Sequence, residues 1–143
     1  MGATNGTMIK KEFPPNIDEI ERAFVLNKRA VFSYYPEIYS PSGDITPDLL
    51  AHELTHILQQ KEYGVERWWR RYIEETAFRL SQEIPAFQRQ YGVLRGKIKD
   101  RNRLHKELVR LANELSSETY GRMLTHQEAY EAIKKDEVFA FKL

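Results

Sequence analysis

Residues 49–60 read LLAHELTHILQQ and contain the spacing HExxH. Residues four apart on an α-helix lie one turn above each other, so His52 and His56 present two imidazoles on one face, with Glu53 beside them. The apolar residues of this stretch fall on the opposite flank and are expected to be buried: Leu50, Leu54, Ile57 and Leu58. The stretch therefore predicts a helix that is apolar on one flank and binds a metal on the other.

Signals at both ends of the stretch agree with a helix. Thr46 is suited to cap it, Pro47 suits the first helical position, and Asp48 complements the positive end of the helix dipole. Gly64 is a natural residue for the end of a helix. We therefore expect one helix between Pro47 and Gly64.

Two imidazoles at this spacing indicate zinc, which binds neutral nitrogen and anionic oxygen donors and, at catalytic sites, keeps one position open for water. A carboxylate beside that water can accept its proton, so the spacing gives the role of general base to Glu53. The alternative is a helix that carries two histidines for packing alone. The chain has four histidines and two of them are in this motif, so we favour the metal site over coincidence.

A catalytic zinc needs a third protein donor. The chain has no cysteine, which excludes a thiolate. Of the other imidazoles, His105 is interpreted as part of a solvated basic helix and His126 as a residue that follows a helix cap. Three carboxylates lie far enough beyond His56 for the chain to turn and run a second helix beside the first: Glu74, Glu75 and Glu83, at 18, 19 and 27 residues.

The chain as a whole predicts a single α+β domain over residues 1–143 that is mostly helical. Residues 1–12 are expected to be a mobile end. A short helix over 16–24 precedes two short strands, over 30–35 and 37–40, which we expect to form a small sheet before the metal-binding helix. Prolines beside these strands suggest an exposed edge, which either accepts a peptide by strand addition or merely covers the core.

Further helices are predicted after the metal-binding segment. Trp68 and Tyr72 are four residues apart and are expected to pack in the core, with the apolar pattern continuing through Leu80. Ser81 is expected to cap another helix that ends at Gly92.

The C-terminal part, residues 97–143, is also predicted to be helical. Its longest helix spans 97–116 and is rich in Lys and Arg, which we interpret as a solvated face because Asp and Glu dilute the positive charge. A capping box at residues 125–128 opens the last helix, and residues 138–141 form a strand or a packing tail.

The composition restricts the partners and the location of the protein. Its formal net charge of +1 gives no general attraction to nucleic acid or to an anionic membrane. No apolar run approaches the roughly 20 residues needed to span a bilayer, and the first residues lack the apolar core of a secretion signal. We therefore expect a cytoplasmic protein that binds neither nucleic acid nor membrane, while the oligomeric state is left open.

These residues resemble a known family. The HExxH motif followed by a downstream Glu is similar to the gluzincin metallopeptidases, and residues 50–60 resemble the small stand-alone zincin-like domains of bacteria and their phages. Those domains carry an upstream strand whose ending is similar to residues 38–41, and their third ligand lies in a helix reading Glu-x-x-Ala, which residues 83–86 reproduce. The resemblance spans residues 30–91. It implies a zincin-like core in a bacterial or phage protein. For a phage protein, the virion is the alternative to the cytoplasmic location.

The choice of Glu83 as third ligand follows from this resemblance and from two further arguments. Ala86, one turn later, leaves room for the metal-binding helix to approach closely. Glu75, whose spacing some gluzincins also use, lies near Arg70 and Arg71, where surface ion pairs are the simpler explanation. Glu75 therefore stays as the alternative ligand.

The expected function is that of a zinc-dependent peptidase acting on a peptide or protein substrate. Its zinc ligands are His52, His56 and Glu83, and its general base is Glu53. The alternative is a non-catalytic zincin-like module, for binding or for phage assembly, that holds a structural zinc. Since a structural zinc does not need Glu53, the presence of this residue favours catalysis.

The resemblance also implies a Tyr or His that stabilises the oxyanion of the transition state. Tyr120 is the candidate, because it lies in a Gly-flanked loop after the long helix. Tyr130 and His126 are the alternatives.

Overall fold

The computed structural model describes residues 8–135. Its elements in chain order are β1 (Ile9–Lys10), α1 (Ile17–Ala23), β2 (Phe32–Tyr34), β3 (Glu37–Tyr39), α2 (Pro47–Tyr63), α3 (Val65–Glu74), α4 (Thr76–Lys97), α5 (Arg101–Leu115), a 3₁₀ turn (Glu118–Tyr120) and α6 (His126–Lys134). The fold is α+β and mostly helical, with the small sheet ahead of α2, as the sequence predicts. Residues 1–7 of the expected mobile end, and the strand or tail expected at 138–141, lie outside the described residues.

The sheet has the strand order β1-β3-β2, in which β3 is parallel to β1 and antiparallel to β2. Ile9 of β1 pairs with Ile38 of β3. The sheet therefore includes residues 9–10, although the sequence predicts a mobile end over residues 1–12. Ile38 is fully buried and packs with Leu54 and Ile57 of α2. The sheet therefore covers the apolar flank of α2, the helix that is predicted to bind a metal.

The structure confirms the predicted bounds of α2. Two details differ from the prediction, the capping by Thr46 and the burial of Leu58. Thr46 is extended at the N-cap position, but its side chain makes no capping hydrogen bond. Gly64 ends the helix with a φ of +88°, which glycine adopts without a steric clash at Cβ. Leu58 is 62% exposed rather than buried, because the small sheet covers the stripe of Leu54 and Ile57 and does not extend further around the helix.

The boundary between α3 and α4 lies at Glu75, and the expected helix start at Ser81 is wrong. Ser81 donates its hydroxyl hydrogen to the carbonyl of Phe78 at 2.6 Å, so its side chain bonds back into the helix instead of capping a new one. The helix also continues past Gly92, its expected end. Many α4 side chains are buried, and this packing outweighs the low helix propensity of Gly92 and Pro85.

The C-terminal helices differ from the prediction mainly at one boundary. α5 begins after Asp100, because Oδ1 of this residue accepts the backbone N–H of Asn102 at 2.8 Å. With 22 residues, α4 rather than α5 is the longest helix of the described chain. The capping box of Thr125 and Glu128 opens α6, as predicted.

Two further apolar clusters hold the helices together. The predicted aromatic stripe of α3 packs with α1 and β2 around the buried Trp68, Trp69 and Tyr72. A second cluster joins α4, α5 and α6. α4 also packs along α2, which places the two helices that carry the predicted ligands side by side. None of the helices within residues 8–135 has the length and apolar character needed to cross a bilayer.

Candidate metal centre

The three predicted ligands meet at the contact between α2 and α4. Nε2 of His52 lies 3.0 Å from Oε1 of Glu83, and Nε2 of His56 lies 3.3 Å from Oε2 of the same carboxylate. All three side chains are buried, and their ligand atoms lie within 4.8 Å of one another. Two residues one helical turn apart and one residue of the neighbouring helix thus point to a common position.

Two of these ligand atoms are buried without a hydrogen-bond partner among the described residues. They are Nε2 of His56 and Oε1 of Glu83. Leaving a buried polar atom unpaired costs about 1–3 kcal/mol, and more if it is charged. A divalent cation at the common position would satisfy both atoms, and two imidazole nitrogens with one carboxylate oxygen are a donor set that fits Zn²⁺. The residues present therefore fit the metal that the sequence predicts.

Charge also holds the three side chains together. Burial by itself would lower the pKa of His52, but the charge of Glu83, whose Oε1 faces Nε2 as an ion-pair contact without hydrogen-bond geometry, outweighs burial and raises this pKa to about 9. Burial would raise the pKa of Glu83, yet His56 and His52 hold that pKa well below its usual range. With no cation bound, a carboxylate and a protonated imidazole thus attract each other at this position.

The alternative ligand Glu75 does not join this cluster. It lies at the α3–α4 boundary and forms an exposed ion pair with Arg71, with Nη2 and Oε1 3.0 Å apart. The hydrogen bond from Arg71 lowers the pKa of the Glu75 carboxyl. This is the surface ion pair that the sequence favours for Glu75.

The other histidines lie together, away from the metal-ligand cluster. Nδ1 of His105 is 3.1 Å from the hydroxyl of Tyr130, and the ring of His126 packs against Tyr130. None of the three lines the cavity described below. His126 and Tyr130, the two alternatives for an oxyanion donor, are therefore not brought to the candidate site.

Each histidine ligand is held at its second ring nitrogen by a glutamine that sequence reasoning missed. Nδ1 of His52 lies 2.8 Å from Oε1 of Gln90, and Nδ1 of His56 lies 2.8 Å from Oε1 of Gln59. Both contacts leave Nε2 directed at Glu83. A metal-binding histidine commonly has such a partner at its other nitrogen, and the partner fixes the orientation of the ring.

Glu53, the predicted general base, is buried beside the triad. Its Oε1 lies 2.5 Å from Oγ of Ser33 in β2, which can also donate to the Glu53 main-chain oxygen at 2.9 Å. Burial raises the pKa of Glu53, against the opposing effects of His52, His56 and the Ser33 hydrogen bond. A carboxylate with a raised pKa beside a metal site is suited to accept a proton.

Tyr72 is a further residue of the site that sequence reasoning placed only in the core. Its hydroxyl donates to Oε2 of Glu83 at 2.5 Å. The ring of Trp68 stacks on the Tyr72 ring with their centroids 4.8 Å apart. It also packs against the His56 ring, at a centroid distance of 5.2 Å. The aromatic stripe therefore does pack in the core, as predicted, but it also supports two of the ligands.

Tyr120, the predicted oxyanion donor, does reach the site. It lies in the 3₁₀ turn, packs edge-on against Phe87 and lines the same cavity as the triad. Nη1 of Arg79 donates to the Thr119 carbonyl at 2.7 Å and so ties this turn to α4. Burial and the charge of Glu83 raise the pKa of Tyr120 well above its usual value. The hydroxyl therefore stays protonated at neutral pH.

The triad and Glu53 line a cavity of about 850 Å³. Its lining includes apolar residues such as Phe24 and Phe32, and α5 contributes charged residues such as Arg103 and Arg110. The cavity provides space for a chain segment beside the four site residues.

The outer edge of β2 is only partly available for strand addition. The Ser33 carbonyl accepts hydrogen bonds from Nε2 of Gln60 and Nε1 of Trp69, both at 3.0 Å, and the backbone N–H of Tyr35 donates to Gln60 at 2.7 Å. The exposed edge expected from the sequence is therefore covered at these positions. Residues 29–32, just before them, line the cavity.

Comparisons with known proteins add no assignment to this geometry. No protein-family model, no curated protein and no solved structure matches the chain.

Proposed function

We propose that this protein is a zinc-dependent peptidase in which His52, His56 and Glu83 hold the metal. The observation that supports this most strongly is the convergence of two imidazoles and one carboxylate at a buried position, with Nε2 of His56 and Oε1 of Glu83 left unpaired. Glu53 lies beside them in the same cavity. A carboxylate next to such a triad matches the needs of metal-assisted hydrolysis.

The bound zinc would supply a Lewis acid and bring the pKa of a coordinated water towards about 7. Glu53 accepts the proton of the attacking water and later delivers it to the nitrogen of the leaving amine. Ser33 holds Oε1 of Glu53, which leaves the other carboxylate oxygen for this proton. Burial disfavours the charged form of Glu53 and so favours its transient protonation.

Tyr120 is the residue we assign to the developing oxyanion. Its hydroxyl is protonated at neutral pH, because burial and Glu83 raise its pKa. A donor that is already oriented by its turn stabilises charge without reorganising during the reaction. Arg79 contributes to this orientation through the Thr119 carbonyl.

We also propose that the fold has a zincin-like core. Two features support this: the small sheet directly precedes the HExxH helix, and the third ligand lies on a second helix packed along the first. The substrate would be a peptide or protein segment that enters the cavity.

A peptide-library digest of the zinc-loaded protein, read by mass spectrometry, tests this function. We expect cleavage by the wild type and a loss of at least about 100-fold in rate for Glu53→Gln, since a general base contributes roughly 10²–10⁴-fold. The Glu53→Gln variant should still bind zinc. Zinc binding by the wild type with no cleavage of any peptide would instead favour the alternative, a binding or assembly module with a structural zinc.

A further inference from the structure

We infer that Gln90 and Gln59 are positioning residues that select which nitrogen of His52 and of His56 is available to the metal. This inference rests on the proposed zinc site. It concerns two glutamine side chains that do not themselves contact the metal position. Each glutamine connects a histidine of α2 to a group that can only accept a hydrogen bond. That acceptor determines which end of the glutamine amide faces the histidine.

The first chain runs from Asp48 through Gln90 to His52. Nε2 of Gln90 donates to Oδ2 of Asp48 at 3.0 Å. A carboxylate only accepts hydrogen bonds, so the amide must present its NH₂ group to Asp48 and its oxygen to His52. That oxygen, 2.8 Å from Nδ1, can only accept as well. Nδ1 of His52 therefore carries a hydrogen, and in the neutral ring Nε2 keeps the lone pair that a metal requires.

The second chain runs from the Gln82 main chain through Gln59 to His56. Nε2 of Gln59 donates to the Gln82 carbonyl oxygen at 2.9 Å, and this acceptor is equally one-directional. Oε1 of Gln59 is thereby turned to Nδ1 of His56 at 2.8 Å. Both ligands are thus fixed in the same tautomer by independent chains.

The chains also connect the two helices that carry the ligands. Asp48 and Gln59 are on α2, while Gln90 and the Gln82 carbonyl are on α4, so each chain crosses the contact between the helices. Without its glutamine, a histidine ring could carry its proton on Nε2, and that nitrogen would then have no lone pair for the metal. The loss of one chain should therefore weaken metal binding without removing a ligand.

An exchange of the amide and the carboxylate tests whether residue 90 must present an acceptor to Nδ1 of His52. In Asp48→Asn the new amide offers both a donor and an acceptor, so Gln90 is no longer forced to face His52 with its oxygen. In Gln90→Glu two carboxylates face each other across the 3.0 Å contact and repel. In the double variant the Asn donates to the Glu, so the hydrogen bond between positions 48 and 90 is reversed. The Glu still accepts from Nδ1 of His52, and the total charge of the chain is unchanged.

The experiment measures the zinc dissociation constant by competition with a chelator. For Gln90→Met and for Gln59→Met we expect binding that is about 10–100-fold weaker than in the wild type, the usual effect of losing a partner of a metal-binding histidine. The double variant Asp48→Asn/Gln90→Glu should return to within about threefold of the wild type, while each of its single changes binds more weakly. The matched control is Gln88→Met, because Gln88 is on the same helix but donates to the Ala132 carbonyl, away from the site.

A second measurement reads the tautomers directly. In the zinc-loaded protein labelled with ¹⁵N-histidine, NMR should show slowly exchanging Nδ1–H signals for both ligands. Gln90→Met should abolish the protection of the His52 signal and leave that of His56, and Gln59→Met should do the reverse. Thermal unfolding of each variant shows whether the fold is kept.

The outcomes separate this inference from the metal site on which it rests. Wild-type protein that takes up no zinc contradicts both. If the wild type binds zinc but Gln90→Met and Gln59→Met bind it as tightly as Gln88→Met, the site stands and the positioning role is wrong. Failure of the double variant to regain affinity would contradict the role of residue 90 as the acceptor from Nδ1 of His52.

Discussion

The hydroxyl of Tyr72 lies 2.5 Å from Oε2 of Glu83, so α3 supports the only carboxylate of the metal-ligand cluster within the described residues. Burial and the charge of Glu83 raise the pKa of Tyr72 well above its usual value, and the hydroxyl therefore acts as a donor. This hydrogen bond occupies one carboxylate oxygen and leaves Oε1, the unpaired atom, for a cation.

Tyr72→Phe should weaken zinc binding by about 10-fold while leaving the fold intact. The ring that stacks on Trp68 is kept, while the hydroxyl that donates to Glu83 and also contacts Tyr120 is lost. The measurement is chelator competition, with Tyr130→Phe as the control because that hydroxyl contacts His105 away from the site. Equal zinc affinity in the two variants would show that Tyr72 is a packing residue only.

Ser33→Ala should slow turnover without removing zinc. Ser33 donates to Oε1 of Glu53, and this bond lowers the pKa of a carboxyl that burial otherwise raises. Without the bond the pKa rises further, so the acid limb of the pH profile of kcat/KM should move to higher pH. We expect kcat/KM at neutral pH to fall by about 10-fold, a fraction of what a general base contributes.

The control for Ser33→Ala is Ser40→Ala, which removes a buried hydroxyl that donates to the Asp44 carbonyl and makes no hydrogen bond to Glu53. Its pH profile should match that of the wild type. An unshifted acid limb in Ser33→Ala would contradict the positioning of Glu53 by Ser33.

The metal-free protein should lose stability as the pH rises above about 6.5. The pKa of His52 is raised from 6.5 to about 9 in the folded state, because Glu83 outweighs the effect of burial. A raised folded-state pKa gives stability that is fully present below 6.5 and lost as the pH passes through 9; the loss is on the order of 3 kcal/mol. Urea unfolding in the presence of a chelator at pH 6 and pH 9.5 measures it.

Glu83, the partner of His52, determines how the stability of the metal-free protein changes at acid pH. The pKa of Glu83 is lowered in the folded state, so its contribution is present above the ordinary carboxyl pKa and is lost as the pH falls. Glu83→Gln removes the partner of His52 and should flatten the decline between pH 6 and pH 9.5. A decline of the same size in Glu83→Gln would mean that another group causes it.

Local spacing was sufficient to predict that the first three side chains of the candidate site lie together on one helix. His52, Glu53 and His56 depend only on helical periodicity, and the residues at both ends of α2 define that helix. Glu83 is 27 residues further along the chain than His56, and its choice over Glu75 needed the resemblance and the argument about surface ion pairs. The structure places Glu83 beside both histidines and Glu75 in an exposed pair.

The supporting residues could not be predicted in this way, because their partners are set by tertiary packing. In the sequence, Tyr72 does not differ from other aromatic residues of a core stripe. The one signal of a further role is that a buried Tyr hydroxyl needs a hydrogen-bond partner. Gln90 and Gln59 have no spacing rule that links them to a histidine, and Ser33 reaches Glu53 from a strand 20 residues earlier. The predicted helix start at Ser81 is wrong for a related reason, because the packing of α4 along α2 outweighs local capping preferences.

The most direct test of the metal centre is the zinc content and affinity of three proteins: the wild type, Glu83→Ala and Glu75→Ala. We expect one zinc per chain in the wild type and in Glu75→Ala, with the same dissociation constant. Glu83→Ala should bind zinc at least about 100-fold more weakly, because it loses a ligand rather than a supporting residue. Zinc retained at full affinity in Glu83→Ala, or lost in Glu75→Ala, would contradict the site formed by His52, His56 and Glu83.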